Sequence, residues 1–228
     1  MQSYAIGFDF DHTLGLDHHL EVTAFVELVQ RIAPDVGVPS DDERATIAIS
    51  REIAHYRSGR CSLDQAIALA FDDALGEGTG TRGHIAAFCE LAVKLAPGRV
   101  TGVPHVADLL ATLDAEGIPY AILTNGWNPL QQCKADCIAF RKPVFVSDDL
   151  GVRKPNVHAF NVLRDHFDLP AERIWYVGDD PKMDVVGSLG AGMRAIWYDE
   201  QQRKFPTDIP APTAIVTDIR DVARVTAT

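Results

Sequence analysis

Two aspartates stand two positions apart in FDFDHTLG, residues 8–15, where the apolar run Tyr4-Ala5-Ile6-Gly7-Phe8 ends. A short apolar run of this kind reads as a buried strand, so Asp9 and Asp11 are two carboxylates aimed out of one strand end. Like charges that close cost free energy unless a cation or a proton lies between them. Three further pieces carry the same signature of polar side chains placed where an apolar run stops or a helix starts. They are Thr124-Asn125 after YAIL, Lys154 ahead of Pro155, and Gly178-Asp179 after RIWYV, with Asp184 five positions on.

The elements that must position these residues alternate. From residue 99 onward, VADLLATLDAEG reads as a helix closed by Gly117. YAILTNG, PVFVSDD, RIWYVGDD, RAIWYDE and TAIVTD read as short strands, with helical runs between them at residues 157–167 and after Asp184. Strands alternating with helices imply a parallel sheet covered on both faces, an α/β Rossmann-like core. In such sheets ligands bind beyond the carboxyl ends of the strands, where Asp9, Thr124, Asp148 and Asp179 all fall. Between the first strand and the rest, residues 16–98 show only helical periodicity. Val22, Phe25, Val26 and Val29 recur at helical spacing, and SDDE at 40–43 and SLDQ at 62–65 read as capping boxes. GEGTGTRG is a flexible break, and APG at 96–98 is expected to stop the last helix. The expectation is a core of residues 1–15 and 99–228 with an α-helical cap domain, 16–98, leaving from the edge that carries the polar groups and placed to cover it.

Composition narrows the function classes. A net charge of -11 argues against a nucleic-acid backbone binder, which wants a basic surface. No apolar run approaches the roughly 20 residues of a membrane span, and the N-terminus carries no secretory pattern, so a cytoplasmic protein with no membrane partner is expected. Cys61, Cys89, Cys133 and Cys137 lack zinc-site spacing and read as reduced thiols.

The ordered set DFDHTL, LTNG, RKP and GDDPKMD resembles the haloacid dehalogenase-like hydrolase superfamily, in its phosphatase branch with a helical cap inserted after the first motif. The resemblance implies that Asp9 is the nucleophile, taking a phosphoryl group as an aspartyl-phosphate. It implies that Asp11 protonates the leaving alcohol and then deprotonates the attacking water. Thr124, Asn125 and Lys154 would bind the phosphate, with Lys154 also neutralising Asp9. Mg²⁺ would sit between the carboxylates, held by Asp9, the backbone carbonyl of Asp11, and Asp179, with Asp184 orienting Lys154 or holding metal-bound water. The substrate would be a small phosphorylated metabolite. The chain departs from the family at His12, where glycine is common, and at Asp180, where serine is common.

Rival readings share the fold. A haloacid dehalogenase needs neither Asp11 nor Asp179. A phosphosugar mutase would keep every motif residue and return the phosphoryl group to its substrate. A phosphonatase wants a cap lysine, for which Lys94 is the candidate. A receiver module has no helical insert, and a non-catalytic regulatory or binding protein usually loses Asp9 or Asp11. His18, His19, Arg57, Arg60, Trp127 and Asn128 are secondary candidates for substrate contact, set against ordinary solvated positions. GSLGAG at 187–192 lacks a strand directly before it, so it reads as helix packing rather than a dinucleotide loop. The motif phrases lean toward nucleotidase-like members, while nucleotides, sugar phosphates and phosphoglycolate-like acids stay open. Oligomeric state is not encoded in any pattern.

Overall fold

The apolar run ahead of Asp9 forms β1 (Ala5–Phe8), with all four residues buried. The computed structural model describes residues 4–227. After β1 come β2 (Gly15–Leu16), then α1 (Leu20–Ile32), α2 (Asp42–Arg57), α3 (Leu63–Leu75) and α4 (Arg82–Arg99). The chain continues through β3 (Thr101–Gly102), α5 (Val106–Ala115), β4 (Tyr120–Thr124), α6 (Leu130–Cys137), β5 (Val144–Val146), α7 (Ser147–Leu150) and α8 (Val157–Phe167). It ends with β6 (Ile174–Gly178), α9 (Gly187–Gly190), β7 (Arg194–Tyr198), β8 (Ala214–Val216) and α10 (Asp221–Thr226). The described residues form two compact units, one up to Leu16 together with Thr101 onward and the other Asp17–Val100.

The first unit is the expected α/β core. Six strands in the order β5-β4-β1-β6-β7-β8 pair in parallel throughout. Being covered on both faces, β1, β4 and β6 are buried along their whole length, which is why their sequences are apolar without alternation. β1 lies between β4 and β6, so the chain runs outward on one side and returns to start again on the other. That reversal is the switch point at which such sheets open a crevice. Register then fixes what faces it. Phe8 lies level with both Ile122 and Val177, so Asp9, Thr124 and Asp179 emerge at one edge. The Asp9 N–H donates to the Val177 carbonyl at 2.8 Å and ties the start of the loop to β6.

The second unit holds the four helices α1 to α4. Phe25, Phe71 and Phe88 form its aromatic centre, with Phe25 and Phe71 ring centroids 4.6 Å apart. The box at Ser62 forms as expected, Ser62 Oγ accepting from Gln65 N and Gln65 Oε1 accepting from Ser62 N. The other box shifts by one residue: Asp41, not Ser40, caps α2, its carboxylate accepting from Arg44 N at 3.0 Å. The anionic oxygen of Asp41 is the stronger acceptor for a helix N-terminus. APG does not stop α4, which runs to Arg99 with Pro97 inside it. A proline in a last turn removes one N–H from a ladder that is ending anyway, and Val100 N–H closes the turn on the Ala96 carbonyl. A strand pair also goes unread in the sequence, because Gly15–Leu16 pairs antiparallel with Thr101–Gly102 and two residues are too few to show a period.

Candidate active site

Lys154 organises the strand edge. Its ammonium is buried, with 2% of the side chain exposed, and sits 2.7 Å from Asp9 Oδ1 and 2.8 Å from Asp184 Oδ1. It also donates to the Tyr176 hydroxyl at 3.0 Å, so three acceptors meet the three N–H bonds of an ammonium. Tyr176 in turn donates to the Leu123 carbonyl at 2.6 Å. Burial pulls the Lys154 ammonium down, but the carboxylates of Asp184 and Asp9 outweigh it and hold lysine well above its usual value. Lys154 therefore stands as a fixed positive charge against Asp9.

Around it, Asp9, Asp179 and Asp184 each bring a carboxylate oxygen within 4.8 Å of the others. Burial, then the charges of Asp9 and Asp180, push Asp179 up to about 7, against the pull of Lys154 and Arg203. Burial likewise pushes Asp184 up, against Lys154. Carboxylates gathered this closely repel one another, and Lys154 meets only Asp9 and Asp184 among them. Three hard oxygen donors fit Mg²⁺ or a similar divalent ion by donor type.

The loop after β6 has its own construction. Asp180 is the N-cap of a π-helical turn, Pro181–Val186, its Oδ1 accepting from Lys182 N and Met183 N at 2.7 and 2.8 Å. The turn starts three residues before Asp184, earlier than the sequence pattern shows, and so carries Asp184 back under the sheet edge. Asp184 Oδ2 accepts from Asp180 N at 3.0 Å. Gly178 is required here, since a Cβ on it would lie 2.2 Å from the Asp184 carboxyl. The Asp179 carbonyl accepts from Trp197 Nε1 at 2.9 Å and from Arg203 at 3.3 Å.

The remaining sequence candidates divide. Thr124 is buried at the end of β4, on the same edge as Asp9. Asn125 is there too, but its side chain is spent on Lys154: Nδ2 donates to the Lys154 carbonyl and Oδ1 accepts from Lys154 N, both at 2.9 Å. It locks the lysine loop to the β4 loop. The Asp11 side chain lies outside the carboxylate cluster and pairs with Lys134 Nζ at 3.0 Å. His12 keeps the turn at φ 61°, the left-handed conformation that a glycine would take without strain. Trp127 is buried, and Asn128 bonds to Asp149. Arg57 pairs with the buried Glu21 at 2.6 Å, and Arg60 bonds Ser58. Residues 187–190 form the short helix α9, in keeping with the packing reading.

Sequence patterning does not single out Tyr176, Gln131 or Lys134. An aromatic inside an apolar strand is ordinary filling, so nothing marks Tyr176. Gln131 and Lys134 do leave a trace, because they share the buried face of α6 with Leu130 and Ala135, where apolar residues are the rule.

A family model described as haloacid dehalogenase-like hydrolase matches residues 5–192. The chain is 35% identical over 123 residues to a phosphoserine phosphatase of Thermus thermophilus, covering 52% of this chain and 49% of that protein. It is 29% identical over 126 residues to the pyrimidine 5'-nucleotidase YjjG of Escherichia coli, covering 54% and 55% respectively. The match thus spans about half the length of these two relatives. Among solved structures, a 2-haloacid dehalogenase from Pseudomonas syringae pv. Tomato superposes with a TM-score of 0.74 at 26% identity, over 99% of both chains.

Proposed function

Because the chain belongs to the haloacid dehalogenase-like hydrolase family, we propose that it is a Mg²⁺-dependent phosphatase of small phosphate monoesters, working through an aspartyl-phosphate on Asp9. The observation that carries this reading is the cluster of Asp9, Asp179 and Asp184, of which Asp9 and Asp184 pair with the Lys154 ammonium. Asp9 attacks phosphorus and the ester oxygen departs as an alcohol. Asp11 gives that oxygen its proton, then takes one from the water that hydrolyses the acyl phosphate. Lys154 and Thr124 hold phosphate oxygens, and Asn125 fixes the Lys154 backbone. Asp9 and Asp179, with the main-chain carbonyl of Asp11, would hold the metal ion, while Asp184 holds Lys154. The ion supplies charge neutralisation for the phosphoryl oxygens. Residues 17–100 would act as a cap that sets substrate choice. The names of the two relatives, one a phosphatase of an amino-acid ester and one a nucleotidase, support the substrate class.

The likeness to a 2-haloacid dehalogenase favours a second reading, displacement of halide by Asp9 without metal. Asp11 and Asp179 argue against it, since a halide leaves without a proton and that chemistry needs no metal ligand. Phosphate release from nucleoside monophosphates, sugar phosphates, phosphoserine and phosphoglycolate, with and without Mg²⁺, separates the two, with halide release from 2-haloacids as the control. Metal-dependent phosphate release that disappears in a folded Asp9→Asn variant is expected. Halide release alone, or an active Asp9→Asn enzyme, would sink the proposal.

A further inference from the structure

Asp11 is held on both of its carboxylate oxygens by one helix. Oδ1 accepts from Lys134 Nζ at 3.0 Å, and Oδ2 accepts from Gln131 Nε2 at 3.3 Å. Lys134 is fully buried and Gln131 nearly so. The two donors lie three positions apart on α6 and therefore point the same way. Their approach is built into the chain. A Cβ on Gly126 would stand 2.5 Å from Gln131 Nε2, so only glycine leaves room. Gly126 is itself fixed, its N–H donating to Ser147 Oγ at 3.0 Å and its carbonyl accepting from the same hydroxyl at 3.2 Å. Gln131 Oε1 is buried and finds no partner among the described residues. The hydrogen bond that the amide does make is the one from Nε2 to Asp11.

We propose that Lys134 and Gln131 are positioning residues, orienting the Asp11 carboxylate for proton transfer and acting on the reaction only through it. The inference rests on the acid–base role given to Asp11 above. A carboxylate on a turn has free rotation about two bonds, and two donors from a packed helix remove it. Small misplacements of a proton-transfer group are expensive in rate, about a hundredfold for 1 Å.

A double-mutant cycle tests this with the fastest ester of the panel. Lys134→Met should lower kcat by about ten- to a hundredfold, with KM changed less than about twofold. In an Asp11→Asn background the same substitution should change kcat less than about twofold, because its route of action is already gone. An equal loss in both backgrounds, or no loss in the first, overturns the inference. If Lys134→Met fails to fold, as thermal unfolding would reveal, Gln131→Met runs the same cycle, with a smaller kcat loss that again vanishes in Asp11→Asn. Wild-type activity in Asp11→Asn alone would instead overturn the role of Asp11 and take this inference with it.

Discussion

One ammonium with three acceptors decides how the residues at the strand edge behave. Lys154→Met keeps most of the side-chain volume and deletes the charge, leaving Asp9 and Asp184 buried without their cation. Breaking a buried pair from one side costs about 3–5 kcal/mol. Denaturant unfolding without metal should show a loss of that size, and phosphate release should fall to background. A stable, active Lys154→Met protein would mean that the ammonium is a bystander. Tyr176 explains part of the rigidity, since its hydroxyl links Lys154 to the Leu123 carbonyl across two strands.

At the scale of elements, the site depends on where β6 stops. Gly178→Ala would press a methyl group into the Asp184 carboxyl, and the π-helical turn must yield. The expected cost is about 1–3 kcal/mol in stability, together with weaker Mg²⁺ binding measured by calorimetry. Unchanged metal affinity would show that Asp184 moves independently of the cluster. In the helical unit, Ser62→Ala removes one half of a formed capping box and should cost about 1 kcal/mol in thermal unfolding. Ser40→Ala should cost nothing, because Asp41 caps that helix.

The same elements show how far sequence carries. The central strands β1, β4 and β6 are legible because both faces are buried, which turns each into a plain apolar run with a polar stop, and those stops are Asp9, Thr124 and Asp179. Helix ends are less legible, because Ser40 and Asp41 both look like caps and only the three-dimensional path chooses between them. Tyr176, Gln131 and Lys134 depend on contacts between elements far apart in sequence. No local period records that Lys134 will meet Asp11, 123 residues away. The same holds for Asn125, whose residue type suggests a ligand contact but whose amide closes on the Lys154 backbone.

For the whole molecule, the acid cluster ties folding stability to pH and, on the proposed Mg²⁺ reading, to metal. Asp179 sits at about 7 against an ordinary 3.8, so the folded metal-free protein binds a proton there that the unfolded chain has already released. Stability from this group is present at low pH and lost as pH rises from about 4 to about 7. A bound cation reverses the preference by favouring the ionised acid. Mg²⁺ should therefore raise the unfolding temperature clearly at pH 8 and much less at pH 6, its apparent affinity falling about tenfold between them for one competing proton. An equal thermal shift at both values would mean that Asp179 does not meet the metal. The polypeptide leaves the sheet-bearing unit at Leu16 and rejoins it at Thr101, on two strands that pair with each other. Everything between those two rungs is a cassette whose ends already lie side by side. A segment joined there can change in length without altering the order of the sheet strands.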